Sequence, residues 1–153
     1  ALSGNQIDTI GTDHVANQLK LKLDGEDVWG ALAGFPGIGT VLPILLNDGV
    51  NQNKITLEQF VSFTSTNAAK IFGMYPQKGT LEKNSDADIT MIDLKKEKKV
   101  TSELFGGFSD YIVYEGRNLK GWPVKTIVRG EVVADNFEVI GKLGHGKLVE
   151  RKI

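Results

Sequence analysis

Asp13 and His14 follow a β-branched run, Ile7-Asp8-Thr9-Ile10, across Gly11 and Thr12. A strand that ends in a carboxylate and an imidazole is how barrels of alternating strands and helices present reacting groups. In that setting Asp13 could ligate a metal ion or act as base toward a metal-bound water. From the residue types alone, a cap on the turn that follows is the commoner role of such an Asp. His14 is adjacent, so on a strand it faces the other way, and the two are not expected to share one ion. A structural, hydrogen-bonding role suits His14 better. Other ligands are scarce: the second histidine is His145, near the C-terminus, and there is no cysteine. A zinc centre needs three or four donors at about 2.0–2.3 Å, so this sequence is not expected to build one alone. No nucleophile elbow, phosphate-binding P-loop or dinucleotide fingerprint is present.

A second stretch with chemical potential is Val28 to Gly39, VWGALAGFPGIG, with four glycines and one proline in twelve residues. Its backbone around Gly34 could approach a planar amide closely, because glycine presents no side chain; an ordinary tight turn has the same composition. Trp29 and Trp122 are expected to pack rather than stack on a ligand, with Trp122-Pro123 anchoring the hairpin after it.

The elements that position these residues follow from periodicity. Ile7, Thr9 and Ile10 predict a short buried strand ending near Gly11. Lys20 to Asp27 reads as a polar surface loop. Leu42, Leu45, Leu46 and Val50 fall on one helical face, with Gly49 near a stop. Thr56 and Gln59 form a capping box for a second helix. Ser65, Thr66 and Asn67 suggest the start of a shorter third, with Gly73 as its C-terminal stop. After Tyr75 the pattern becomes β-rich. ADITMIDL reads as a strand, the charge run Lys95 to Lys99 as a solvated hairpin turn, and KTIVRGEVVAD as a hairpin around Arg129-Gly130. The end, GKLGHGKLVERKI, reads as an extended basic tail.

The chain has 153 residues and a net charge of −1. That balance gives no argument for a nucleic-acid partner or an acidic membrane surface. No run reaches the length of a membrane span and no signal peptide is visible. The lack of cysteine excludes disulfides and is compatible with a reducing cytoplasm, the expected location. ALSGNQ, without Met, reads as the tail of a helix with a Gly stop, as though cut from a longer chain.

Five stretches, in order, carry a resemblance. They are TDH after a strand, FPGIGTVLPILLNDGVNQNKIT, STNAAKIFGMYPQKGTLEKNSDADITMIDL, YEGRNLKGWPVKTIVRGEVV and GHGKLVER. Together they resemble the C-terminal third of cyclic amidohydrolases. STNAAKIFG and KGTLEKNSDADI mark the wider group, which includes dihydroorotase and allantoinase. KGWP and GHGKLVER resemble the D-hydantoinase and dihydropyrimidinase branch in particular.

The resemblance implies an α/β fold: residues 1–75 as the last strand and helices of a (β/α)8 metal-dependent hydrolase barrel, and residues 76–153 as C-terminal strands of a composite β-sandwich plus a tail. It implies that Asp13 is both metal ligand and catalytic carboxylate, taking a proton from a bridging hydroxide. It also implies that backbone groups around Ala33 and Gly34 hold the ring amide. Many family members have Asn at the place of Ala33, Pro at that of Ala68 and Gly at that of Asn84. Asn tolerates left-handed backbone angles. Two divalent metal ions, zinc being the expected identity, belong to the intact parent and are not expected stoichiometrically in a fragment lacking the other ligands. The implied substrate is a cyclic ureide and the implied assembly a homo-oligomer whose tail, Gly144 to Arg151, reaches a neighbour. The alternatives are a non-catalytic dihydropyrimidinase-related scaffold, or a dihydroorotase or allantoinase.

Overall fold

Two helical runs carry the first half of the core. A computed structural model describes residues 1–25 and 27–151; Glu26 and the last two residues of the basic tail lie outside the described residues. The one-turn helix α1 (Leu19–Lys22) is followed by a loop through residue 37. Then a 3-10 turn (Ile38–Thr40), α2 (Val41–Ile44) and a π-type segment (Leu45–Val50) form one unbroken run. Gly49 is the next-to-last residue of the run, near its stop as expected. A Cβ there would lie 2.9 Å from Ile55 Cδ1, so that side chain would have to shift.

The second run begins at the expected capping box. The Thr56 hydroxyl accepts from Gln59 N–H at 3.2 Å, and the Gln59 carboxamide oxygen accepts from Thr56 N–H at 2.9 Å. It continues through α3 (Leu57–Val61), a π-type segment (Ser62–Thr66) and α4 (Asn67–Ile71). The separate third helix is thus corrected. Thr66 has helical angles, φ −62° and ψ −46°. Its hydroxyl donates to the Gly79 carbonyl at 2.7 Å, so it does not cap a new helix. The stop at Gly73 is as expected, with φ 68°.

The second half is a four-stranded antiparallel sheet in the order β1 (Ile89–Lys99), β2 (Asn118–Val128), β3 (Glu131–Asp135) and β4 (Glu138–Val139). Arg129 (φ 47°) and Gly130 (φ 81°) make the two-residue turn between β2 and β3. Paired positive φ is the geometry whose twist matches that of the flanking strands. Lys95–Lys99 is not a turn. It continues β1, and Glu97, Lys98 and Lys99 pair with Lys120, Leu119 and Asn118. The turn-like chemistry shows instead as a bulge between Asp93 and Glu97, where the Asp93 carboxylate accepts from Lys95 and Lys96 N–H at 2.8 and 3.1 Å.

Two apolar clusters join the halves. Leu46, Ile55, Phe60 and Phe63 form one, flanked by Ile10 and Ile92. Val100, Ile112, Leu119 and Trp122 form the other, flanked by Ile44 and Phe105. Trp122 is fully buried, and its indole N–H donates to Leu119 O at 2.8 Å. Phe137 meets it edge-on at 5.5 Å. The first helical run docks on β2 through amides: Asn47 accepts from Lys120 N–H and Asn51 donates to Lys120 O, both at 2.8 Å. Gly121 (φ 97°) permits this approach, since a Cβ there would lie 2.7 Å from Leu46 Cβ.

Two expectations near the N-terminus are corrected. The ALSGNQ stop falls one residue late: Leu2–Gly4 is a 3-10 turn ended by left-handed Asn5 (φ 52°). Residues 7–11 form no strand. A ladder needs a neighbour for its N–H and C=O groups, and along this stretch Asp8 O is met by the side chain of Asn67 at 2.9 Å. Ile10 still packs on the core, while Ile7 stays exposed.

Candidate active site

Asp13 has φ 47°, the left-handed region that few non-glycine residues adopt and that Asp tolerates better than most. It is exposed, and among the described residues its carboxylate makes no hydrogen bond. It therefore does not cap the following turn. Non-glycine backbone held in this region clusters at functional positions.

His14 anchors the glycine-rich segment. Its Nδ1 accepts from Gly37 N–H at 3.0 Å and, more weakly, from Ile38 N–H at 3.4 Å. With Nδ1 as acceptor, the neutral ring carries its proton on Nε2. The Gly37 carbonyl in turn accepts from the hydroxyl of buried Thr40 at 2.9 Å. Val15 N–H donates to Phe35 O at 3.0 Å within a short parallel bridge between His14 and Phe35. Gly34 (φ 82°) lies against Val15, where a Cβ would come within 2.3 Å of Cγ2. Glycine is thus required at 34 by both angle and space.

Thr12 and His14, on either side of Asp13, each line a hollow that Gly37 shares. One, about 260 Å³, is bounded by Ile10, Thr12, Thr40 and Tyr114. The other, about 160 Å³, is bounded by His14, Ile38, Phe105, Ser109 and Tyr111. Burial, with some help from the Asp110 charge, holds the Tyr111 phenol above its usual range. The Tyr111 hydroxyl and Ser109 Oγ are buried without a partner among the described residues.

Ala33 is exposed, and among the described residues neither its N–H nor its C=O has a partner. Its neighbours are engaged by a residue that sequence reasoning missed. The Lys22 ammonium donates to Leu32 O at 2.6 Å and to Gly34 O at 2.9 Å, and lies 4.3 Å from the Phe35 ring centroid. Lys22 was hidden in a polar stretch read as loop, and only the one-turn helix brings it to the segment. Trp29 is 91% exposed and packs on nothing, contrary to expectation, whereas Trp122 is core.

His14 Nδ1 is occupied by backbone N–H groups, whereas the Asp13 carboxylate has no partner among the described residues. Among the described residues no group of three His, Cys, Asp or Glu side chains converges tightly enough to hold an ion.

The amidohydrolase family model matches residues 1–133. The chain belongs to the amidohydrolase family. It is 41% identical over 152 residues to the L-hydantoinase of Paenarthrobacter aurescens, covering 99% of this chain and 33% of that enzyme. It is 40% identical over 135 residues to the dihydroorotase of Methanosphaera stadtmanae, covering 88% of this chain and 30% of that one. A solved D-hydantoinase structure superposes with a TM-score of 0.95 at 36% identity, over 99% of this chain and 34% of the other. This amidohydrolase chain thus spans about a third of the length of the relatives it matches. Among the described residues, no helix is long and apolar enough to cross a membrane.

Proposed function

We propose that this chain is the C-terminal portion of a metal-dependent hydrolase that opens cyclic ureide rings, hydantoins or dihydropyrimidines, and that it is inactive alone. The observation that carries this reading is an unpartnered Asp13 carboxylate together with a loop in which, among the described residues, Ala33 N–H and C=O, like those of Ala31, have no partner. A ring amide offers one N–H and one C=O side by side; Ala33 offers the complementary acceptor and donor. Substitution of a more usual Asn by Ala leaves both backbone groups in place.

In this reading residues 1–75 are the end of the barrel and residues 76–153 are sandwich strands and tail. Asp13 supplies one metal ligand, and the remaining ligands come from outside this chain. Bound divalent metal, zinc being the expected ion, would lower the pKa of a water toward neutrality. The protein's own work is to receive that water's proton on the Asp13 carboxylate, hold it while the ring carbonyl is attacked, and deliver it to the leaving ring nitrogen. Ala33 and Gly34 fix the ring plane. The tail from Gly144 reaches a neighbouring subunit of a homo-oligomer in the cytoplasm; Leu143 and Leu148 are almost wholly exposed. Identity to a dihydroorotase supports a second substrate, the dihydroorotate ring.

The test is turnover and metal content. The longer protein containing this chain should hydrolyse hydantoin or dihydrouracil and hold two metal equivalents, while residues 1–153 alone should do neither. Steady ring opening by the isolated chain, or none by the longer protein on hydantoin, dihydrouracil or dihydroorotate, would sink the reading.

A further inference from the structure

We infer that Lys22 is a positioning residue: its ammonium orients the Ala33 amide, and with it the ring that amide receives. The inference rests on the proposed function and assigns a role to a side chain outside the reacting groups.

The geometry is specific. Lys22 ends α1, and α1 is fixed at its start because Leu19 N–H donates to the Asp110 carboxylate at 2.8 Å. From that fixed base the ammonium spends two of its three donors on Leu32 O and Gly34 O, the carbonyls on either side of Ala33. Its positive charge also faces the Phe35 ring. Among the described residues no carboxylate lies within 4.0 Å of it. Bonds from a charged donor are roughly twice as strong as neutral ones.

The peptide plane carries this hold to Ala33. Leu32 C=O and Ala33 N–H belong to one trans peptide, so they point in opposite directions. Pinning Leu32 O to the ammonium therefore aims the Ala33 N–H away from Lys22. On the far side, Val15 and His14 hold Phe35 O and Gly37 N–H. Among the described residues Ala33 keeps both its N–H and its C=O unengaged between neighbours that are held. A surface lysine serving solubility alone would need none of this.

Two variants test the inference. Lys22→Met keeps the apolar stem and removes the donors; Lys22→Arg restores donors of different geometry. In the longer protein, Lys22→Met should raise the KM for hydantoin on the order of tenfold with kcat within about twofold, the signature of lost uniform binding. Lys22→Arg should recover most of that loss. In parallel, amide hydrogen exchange at residues 33–35 should accelerate in Lys22→Met while the hairpin 127–132 is unchanged. Unaltered KM, or equal acceleration in the hairpin, overturns the inference. The two readings fail separately: a wild-type protein that opens no ring sinks the proposed function, and loop exchange indifferent to Lys22→Met sinks the clamp whatever the activity.

Discussion

Trp122 and Asp13 belong to regions of opposite construction. Around Trp122, buried aromatic and aliphatic side chains close on one another, and helix–sheet amide bonds lock the register. Around Asp13, backbone without a ladder is held by a handful of long-range bonds from His14, Val15 and Lys22. The first region is stabilised by burial, to the extent of about 1.5–3 kcal/mol for each large apolar side chain. The second gains little from burial and keeps its polar groups available. Under the proposed function, stability and chemistry rest on different residues, and changes at the two should dissociate.

The sharpest break of that contrast is Asp13→Asn. In the longer protein it should lower kcat/KM on the order of 10³–10⁴-fold, while the melting temperature stays nearly unchanged because the carboxylate has no partner here to lose. Trp122→Ala should do the reverse. It should destabilise by about 3–5 kcal/mol, measured by urea unfolding, and any lost activity should follow the folded fraction. Gly34→Ala lies between the two: overpacking costs about 1–3 kcal/mol, taken up here by the loop moving off Val15. It should raise KM more than it shifts the unfolding midpoint; a midpoint shift as large as that of Trp122→Ala would erase the distinction drawn here.

The smallest effect is an acid one at the hairpin. The hydrogen bond from Lys78, then that from Gln77, holds the Asp86 carboxyl below its usual range. Burial pushes Asp88 up, but Lys78 and the Arg129 N–H outweigh it and hold it low. Burial likewise opposes the Lys78 charge, yet Asp86 and Asp88 keep that amine above its ordinary value. Groups with depressed folded pKa values stabilise above the ordinary carboxylate value of 3.8 and lose that contribution as pH falls through their folded values. The Lys78 contribution is present below 10.5 and fades as pH rises through its raised folded value. Asp86→Asn should therefore flatten the drop in melting temperature between about pH 4 and pH 2, leaving ring opening at neutral pH unaffected.

Local signals were legible wherever the chemistry is local. The Thr56–Gln59 box, the Gly73 stop and the Arg129-Gly130 turn each depend on a few adjacent residues, and each is where the sequence places it. Asn84 takes its left-handed angle, φ 74°, as expected. Features set by distant partners were not legible. Ser65-Thr66-Asn67 has cap chemistry, but tertiary packing runs the helix through it and turns Thr66 toward Gly79. Lys95–Lys99 has turn composition, but pairing with β2 draws it into the sheet. The run at Ile7 has strand composition and no strand beside it. At the site, the types and order of Asp13, His14 and Gly34 could be read, yet Lys22 could not, because its carbonyl partners lie ten and twelve positions on.

β1 is the outer strand of its sheet, so one flank of eleven residues faces away from β2. Its second half is a lysine-rich stretch set off by the Asp93 bulge. Charge and a bulge are devices by which sheets refuse further strands. The first half, Ile89 to Ile92, has no lysine but carries a register shift of its own, between Met91 and Ile92. Irregularity in both halves, with charge added at the far end, leaves little of this flank regular enough to seat a further strand.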